Sequence, residues 1–365
     1  MSGASPASQF QRKRSVPEIK AFKGWRYKRD AVGNFASVLA PPYDVISPKQ
    51  RDELYKKNPF NVVRLILGKT KKGDTARHNQ YTRARQFLNQ WISKSVLTRD
   101  HEPAIYVYAQ DYKETGKVRT RLGFLAAMRI NEKAVLKHEN TLAKPKKDRT
   151  ALLKEVRTNL SPIFGLFEDK KGSVQEILKE SLKSRPVIDV SIEGVRHRLY
   201  VENRRGPVSR LSGLLAFRPM FIADGHHRFE VACQFRNWMN SRQRDKDAPW
   251  NYVMTYFSDC LHNPFRIFPT HRLISIPGSV KNPLELLKKR GHLTRAKGLP
   301  AILSVLSKTR EESGQKGYSF GVYKKGEGFF IFNLSPRLNC PPGILTLAAR
   351  IAFCTSRGLR LCACS

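Results

Sequence analysis

Arg218-Pro219-Met220-Phe221-Ile222-Ala223-Asp224-Gly225-His226-His227-Arg228-Phe229-Glu230-Val231-Ala232 is the stretch on which the reading of this chain turns. Met220 to Ala223 reads as a short apolar strand that runs straight into Asp224-Gly225. Beyond the glycine, Val231, Ala232, Phe235, Trp238 and Met239 recur at helical spacing, so a helix is expected from the turn to about residue 239. Asp224 is a good N-cap for it, although the cap could be its whole role. Gly225 allows a sharp turn and a close approach of ligand to the backbone amides. The free N–H groups of the first turn and the positive end of the helix dipole together favour an anion. His226, His227 and Arg228 are poor choices there on stability grounds, because cations oppose the dipole. A phosphate held by Arg228 and the amides is the simplest compensation. A metal between the two histidines fits less well, since adjacent helical positions point about 100° apart. No histidine follows one turn on.

Outward from this turn, single strands and helices alternate, which predicts an α/β (mixed α+β) fold with a mixed sheet covered by helices. Residues 1–18 read as a polar lead-in. Pro41-Pro42 makes 40–46 a constrained loop leaving a short strand. Ser47-Pro48 starts a helix, with the serine as cap and the proline in the first turn. The apolar run 62–67 is expected to be a strand ended by Gly68, and 81–93 a helix. Segments 104–110 and 121–130 pair across the turn-rich 114–117. Further helices are expected at 150–156 and 174–183, and extended segments at 161–167, 252–257 and 318–323. After Glu327 the remaining residues contain no Asp or Glu and four of the six cysteines. Residues 336–365 therefore read as a divergent or truncated tail, following a nucleotide-binding region at 19–335 that could comprise two subdomains. Cys362-Ala363-Cys364 makes a poor zinc half-site without a second half.

Composition narrows the function classes. No stretch approaches the ~20 apolar residues of a membrane helix, and the polar start lacks the apolar run of a secretory signal. The cysteines show no disulfide rhythm, which fits a reducing cytoplasm. A net charge of +37, from 67 Lys+Arg against 30 Asp+Glu, would attract polyanions. Yet no zinc finger, basic-zipper pattern or aromatic ribonucleoprotein box accompanies it. Nucleic acid is thus one class of partner to test, and small anions such as nucleotides are another. The chain also lacks a Walker loop, a Gly-x-Ser-x-Gly elbow and an HExxH helix.

The string Ile222-Ala223-Asp224-Gly225-His226-His227-Arg228 resembles the DGHHR box of the ParB/sulfiredoxin-like superfamily, whose members bind nucleotide phosphates at this turn. Where sulfiredoxins carry a cysteine, this chain has His226, so that redox activity is not expected. Among ParB-like members are free serine kinases, which use ADP or ATP. Four further segments make the resemblance closer to one large family, domain of unknown function number one thousand and fifteen. They are 40–46, 58–65, His138-Glu139-Asn140-Thr141 with Asp148-Arg149 and 161–166, and finally Phe268-Pro269-Thr270-His271-Arg272. Members usually end in a Met-Pro-Lys-Ser-Thr-type motif, which is absent here.

The resemblance implies a kinase that phosphorylates free L-serine, with a strand-turn-helix core of the ParB/sulfiredoxin-like kind. Phosphoryl transfer needs cations on the phosphates, commonly Mg²⁺ held by carboxylates, and a base for the hydroxyl. Asp44, Glu139, Asp148, Asp224 and Glu230 are the carboxylates offered, with Glu139 the preferred base and Asp224 a candidate for Mg²⁺. Gly225, His226, His227 and Arg228 are assigned to phosphate, and the two histidines and Asp224 also to the chemistry. Asp44, Arg64, His138, Thr270, His271 and Arg272 are candidates for substrate contact. Arg64 stands out because a lone charge in an apolar strand is costly unless paired or ligand-bound. The competing expectation is a ParB-like nucleotide- or nucleic-acid-binding protein without kinase chemistry, which the charge favours.

Overall fold

The computed structural model describes residues 17–114, 116–136, 143–216, 218–263, 282–311 and 318–334. They belong to two units, the first ending at Pro264 and the second beginning at Phe265. The first opens with short strands β1 (Ile19–Lys20) and β2 (Trp25–Tyr27), then five helices: α1 (Arg29–Val32), α2 (Phe35–Val38), α3 (Pro48–Lys57), α4 (Val63–Ile66) and α5 (Gln80–Ser93). Strand β3 (Leu97–Arg99) pairs with β2, and the long hairpin β4 (Ile105–Glu114) and β5 (Lys117–Arg129) follows. After β6 (Val135–Leu136) come α6 (Ala143–Val156), β7 (Ile163–Phe167), α7 (Ser173–Ser181), the hairpin β8 (Ile188–Ile192) and β9 (Val195–Glu202), and α8 (Arg205–Leu215). The last part of the unit is β10 (Met220–Asp224), α9 (His226–Asn240) and β11 (Tyr252–Asp259).

These strands build one nine-stranded mixed sheet in the order β6-β10-β7-β11-β5-β4-β9-β8, with β1 added on β5. Only β6–β10 and β7–β11 run parallel. One face carries Ile105, Val107, Phe124, Met128, Ile163 and Phe257, all essentially buried, under the apolar stripes of α7, α8 and α9. A second core forms among the N-terminal helices around Trp91, with Phe35, Val38, Val63 and Leu88, and it takes in Leu152 and Val156 of α6. In the second unit, α10 (Pro283–Lys288) precedes β12 (Gly291–Ala296), α11 (Leu299–Glu311), β13 (Tyr318–Lys324) and β14 (Gly328–Leu334). The strands form a three-stranded antiparallel sheet in the order β12-β14-β13. Among the described residues no helix is long and apolar enough to cross a membrane. The tail beyond residue 335 lies outside them.

Most expected elements are present, and three local readings need correction. Residues 62–67 are not a strand: Val63–Ile66 is one helical turn. The reason is Asn61, which is fully buried and accepts a hydrogen bond from the Val63 amide at 3.0 Å. Its amide group donates to the Ser37 and Leu39 carbonyls at 2.8 and 3.0 Å. Such a side-chain bond offers the backbone a turn in place of a sheet ladder. The proline loop, accordingly, leaves the short helix α2 and not a strand. The third correction concerns Asp224, which does not cap α9; Gly225 holds the cap position, with no side-chain cap bond. At α3 the expected cap is present, and Ser47 and Gln50 form a reciprocal capping box.

A polar knot ties the ends of β7 and β11. Asp169 and Asp259 are both fully buried. Asp169 accepts from the amides of Val174 (2.7 Å) and Gln175 (3.3 Å) at the start of α7, and pairs with Arg218 at 2.8 Å. Asp259 accepts from the amides of Asp169, Leu261 and His262 at 2.8–3.0 Å and from the His262 ring. Removing one partner of such a buried pair leaves a charge uncompensated. Asp169→Ala should therefore destabilise the protein by about 3–5 kcal/mol. A denaturant midpoint equal to that of the native chain would show that the knot does not hold the two strand ends.

Candidate functional site

The turn at the end of β10 is built around Gly225, whose φ of +94° lies in the left-handed region. A Cβ there would also stand 3.1 Å from the Arg228 guanidinium. Glycine thus supplies the conformation and lets Arg228 fold back over the turn. Its guanidinium donates to the Pro162 carbonyl and pairs with the Asp224 carboxylate. That side chain is 16% exposed and the Asp224 side chain 56%, so the cation sits inward and the anion outward. Among the described residues, two of the five guanidinium N–H groups make these bonds. His226 is buried at 3% exposure, whereas His227 is half-buried.

Opposite this turn stand Tyr43 and Arg149. The Arg149 guanidinium lies 4.0 Å from the centroid of the Tyr43 ring and donates to the Ile66 carbonyl at 2.6 Å. It also pairs with the neighbouring Asp148. Burial pushes the Tyr43 hydroxyl up from its usual pKa, partly offset by Arg149 and Arg228, while Asp44 and Asp224 push the same way as burial. All four charged groups are therefore within electrostatic reach of one phenol. Tyr43, Ile66, Arg149, Ser161, Val253 and Arg228 line a small cavity of about 70 Å³. On this scale one water needs about 10–15 Å³, so the space has room for a group of phosphate size and not for a whole nucleotide, and Leu152, Val156, Val231 and Ala232 make its other walls apolar.

Four separate stretches thus meet: the proline loop, the end of α4, the second half of α6 with the Pro162 loop, and the β10–α9 turn. Asp44 and Asp224 are the exposed carboxylates near Tyr43. Their hard oxygen donors fit Mg²⁺, which is commonly bound by one or two carboxylates together with substrate phosphates. Asp148 is engaged otherwise, accepting from Tyr81 at 2.7 Å as well as from Arg149. Glu230 pairs with Lys146 at 3.2 Å, bridging α9 and α6. Arg64 stacks on Tyr55 (4.3 Å) and Phe87 (5.6 Å) and donates to the Tyr55 carbonyl at 2.7 Å. It sits in a helix, where an apolar strand had been expected, and among the described residues no carboxylate pairs with it and its buried Nε has no partner. His138, Glu139, Thr270, His271 and Arg272 lie outside the described residues.

Tyr43 and Arg149 lie inside segments that carry the family resemblance, and neither was among the candidate site residues. The available signal was an arginine directly after a carboxylate and an aromatic directly after two prolines, both of which pass as ordinary surface residues. Among the described residues one group of three could by position hold a metal, namely Asp169, Asp259 and His262, whose ligand atoms lie within 4.8 Å of one another. Their carboxylate oxygens already accept the bonds of the polar knot, so they serve the fold.

No curated protein and no solved structure matches this chain. The family described as protein of unknown function DUF1015 matches residues 19–349. That span takes in both units and every segment lining the cavity, and the chain belongs to the DUF1015 family.

Proposed function

We propose that this chain is a nucleotide-dependent small-molecule kinase that transfers a phosphoryl group to free L-serine. The observation that carries the phosphate half is the convergence of Arg149, Arg228 and Tyr43 on one anion-sized cavity beside the uncapped start of α9. Two inward arginines and a helix N-terminus favour a phosphate group, since guanidinium groups match its oxygens in a bidentate way. The acceptor half rests on the likeness of the DGHHR box to that of ParB/sulfiredoxin-like free serine kinases. In the reaction the serine Oγ attacks the terminal phosphorus of ATP or ADP. The bond to the bridging oxygen breaks, and the shortened nucleotide leaves. Mg²⁺, held by Asp224 with Asp44, would neutralise charge on the phosphates. Arg228 and Arg149 hold the phosphate oxygens, and Glu139 takes the hydroxyl proton.

One observation favours a second reading. A net charge of +37 suits a polyanion, so a ParB-like protein that binds nucleotide or nucleic acid without kinase chemistry is the alternative.

Arg228→Ala should weaken ATP binding by roughly 1.5–3 kcal/mol in calorimetry, the scale of a charge-assisted hydrogen bond. Unchanged affinity would remove the turn from the site. The kinase reading is checked by incubating the protein with ATP or ADP, Mg²⁺ and a panel of amino acids, with O-phosphoserine as the expected product. Glu139→Gln should then keep nucleotide binding while turnover falls ~10²–10⁴-fold. Normal turnover in that variant would pass the role of base to another carboxylate. A native protein that phosphorylates no amino acid but binds DNA with steep salt dependence would establish the alternative.

A further inference from the structure

The face of the large sheet opposite α7, α8 and α9 carries a row of rings that starts at the β10–α9 turn. Asp224 is the cross-strand partner of Phe164, and Phe164 that of Tyr256. A register shift between Ile222 and Asp224 breaks the alternation there, as β-bulges do where a side chain is re-aimed. The Phe164 and Tyr256 ring centroids are 5.2 Å apart. Tyr256 then meets Tyr108 edge-on at 5.6 Å, across the intervening strand β5. The residue of β5 opposite Tyr108 is Gly123. A Cβ at that position would collide with the Phe257 carbonyl oxygen and stand 2.6 Å from the Tyr256 ring, so the glycine leaves room for Tyr256 to lie over β5. Tyr108 in turn bonds His197 of β9, hydroxyl to Nδ1, at 2.6 Å. Phe164, Tyr108 and His197 are half-buried, and Tyr256 is buried.

We propose that this row is the seat of the nucleotide base whose phosphates lie at the turn. The inference rests on the phosphate reading given above. The cavity at Arg149 and Arg228 is too small for more than an anion, so the rest of a nucleotide must lie elsewhere. Two strand steps separate β10 from β11, about 10 Å, and Tyr108 lies one ring contact farther on. That is a length over which the sugar and phosphates of a nucleoside di- or triphosphate extend. Flat rings with polar tips suit a base, which stacks on aromatic faces and bonds at its edge. Burial lowers the pKa of His197 and so favours its neutral form. The Tyr108 hydroxyl bonds Nδ1, so Nε2 is the ring nitrogen that could meet the edge of a base, as donor or acceptor according to tautomer.

The test compares ATP with inorganic tripolyphosphate, both with Mg²⁺, by calorimetry on the full chain and on Tyr108→Leu. The expected result is an ATP affinity weakened about tenfold or more and an unchanged tripolyphosphate affinity. Phe164→Leu should give the same split, and it serves where Tyr108→Leu does not fold. Tyr108→Phe keeps the ring and should retain most of the ATP affinity. If the native chain binds both ligands and neither leucine variant separates them, the base site is overturned while the phosphate site stands. If the native chain binds neither ligand, the phosphate reading falls and takes the base site with it.

Discussion

A single residue turns this chain from β10 into α9, and Gly225 does so with a left-handed backbone. The remaining geometry of the site depends on that one conformation. It sets the direction of α9, whose Phe229, Ala232 and Cys233 then fall on the main core. It also brings Arg228, one helical turn on, back over Asp224 and against the Pro162 carbonyl. Any Cβ at this position would carry backbone strain and crowd the guanidinium together. The loop before β7 and the turn after β10 are thereby tied at adjacent strands, and a phosphate site can be held on rigid elements.

Both arginines that face the cavity are paired with an acid close in sequence, Arg228 with Asp224 and Arg149 with Asp148. A half-buried cation is costly without a partner, so these pairs keep the cations in place before any ligand arrives. An incoming phosphate can share Arg228 with Asp224 or displace that carboxylate outward, where it is already more than half exposed. In the second case Asp224 would be free to serve as one of the carboxylates proposed to hold Mg²⁺. The two roles proposed for Asp224, partner of Arg228 and holder of Mg²⁺, are then successive and not in conflict.

Legibility in the sequence followed the strength of local signals. Met220 to Asp224 and the helix after it were plain, because an apolar run, a glycine and a helical stripe follow one another without interruption. The hairpin β4–β5 was equally plain from its paired apolar runs. The turn Val63–Ile66 was not, since a short apolar run reads the same in helix and strand. What decided it was a hydrogen bond from Asn61 and that residue's contacts to Ser37 and Leu39, more than twenty positions away. The β8–β9 hairpin was missed for another reason: Arg196, His197 and Arg198 interrupt its alternation. The site was legible at Asp224 to Arg228, where residues contradict the helix dipole. Tyr43 and Arg149 break no local rule, and only the fold shows that they face the turn.

The charge of the chain bears on the choice between a nucleotide and a nucleic acid through where the cations lie. Lysines such as Lys49, Lys56, Lys57 and Lys72 are exposed on α3 and the loops near it. Charges of that kind act through solvent, attract any polyanion and are screened within about 10 Å at 0.1 M salt. Arg149 and Arg228 are different, with side chains 10% and 16% exposed at the wall of a cavity. A duplex phosphate would have to enter that cavity with its neighbours on the strand still attached, whereas the free end of a nucleotide need not. The exposed lysines can therefore raise the local concentration of either ligand, but the inward arginines discriminate by shape. In such an arrangement salt weakens the encounter more than the bound state, because partly buried pairs are screened less than exposed ones. Under the proposed function the basic surface would collect anions and the cavity would select among them.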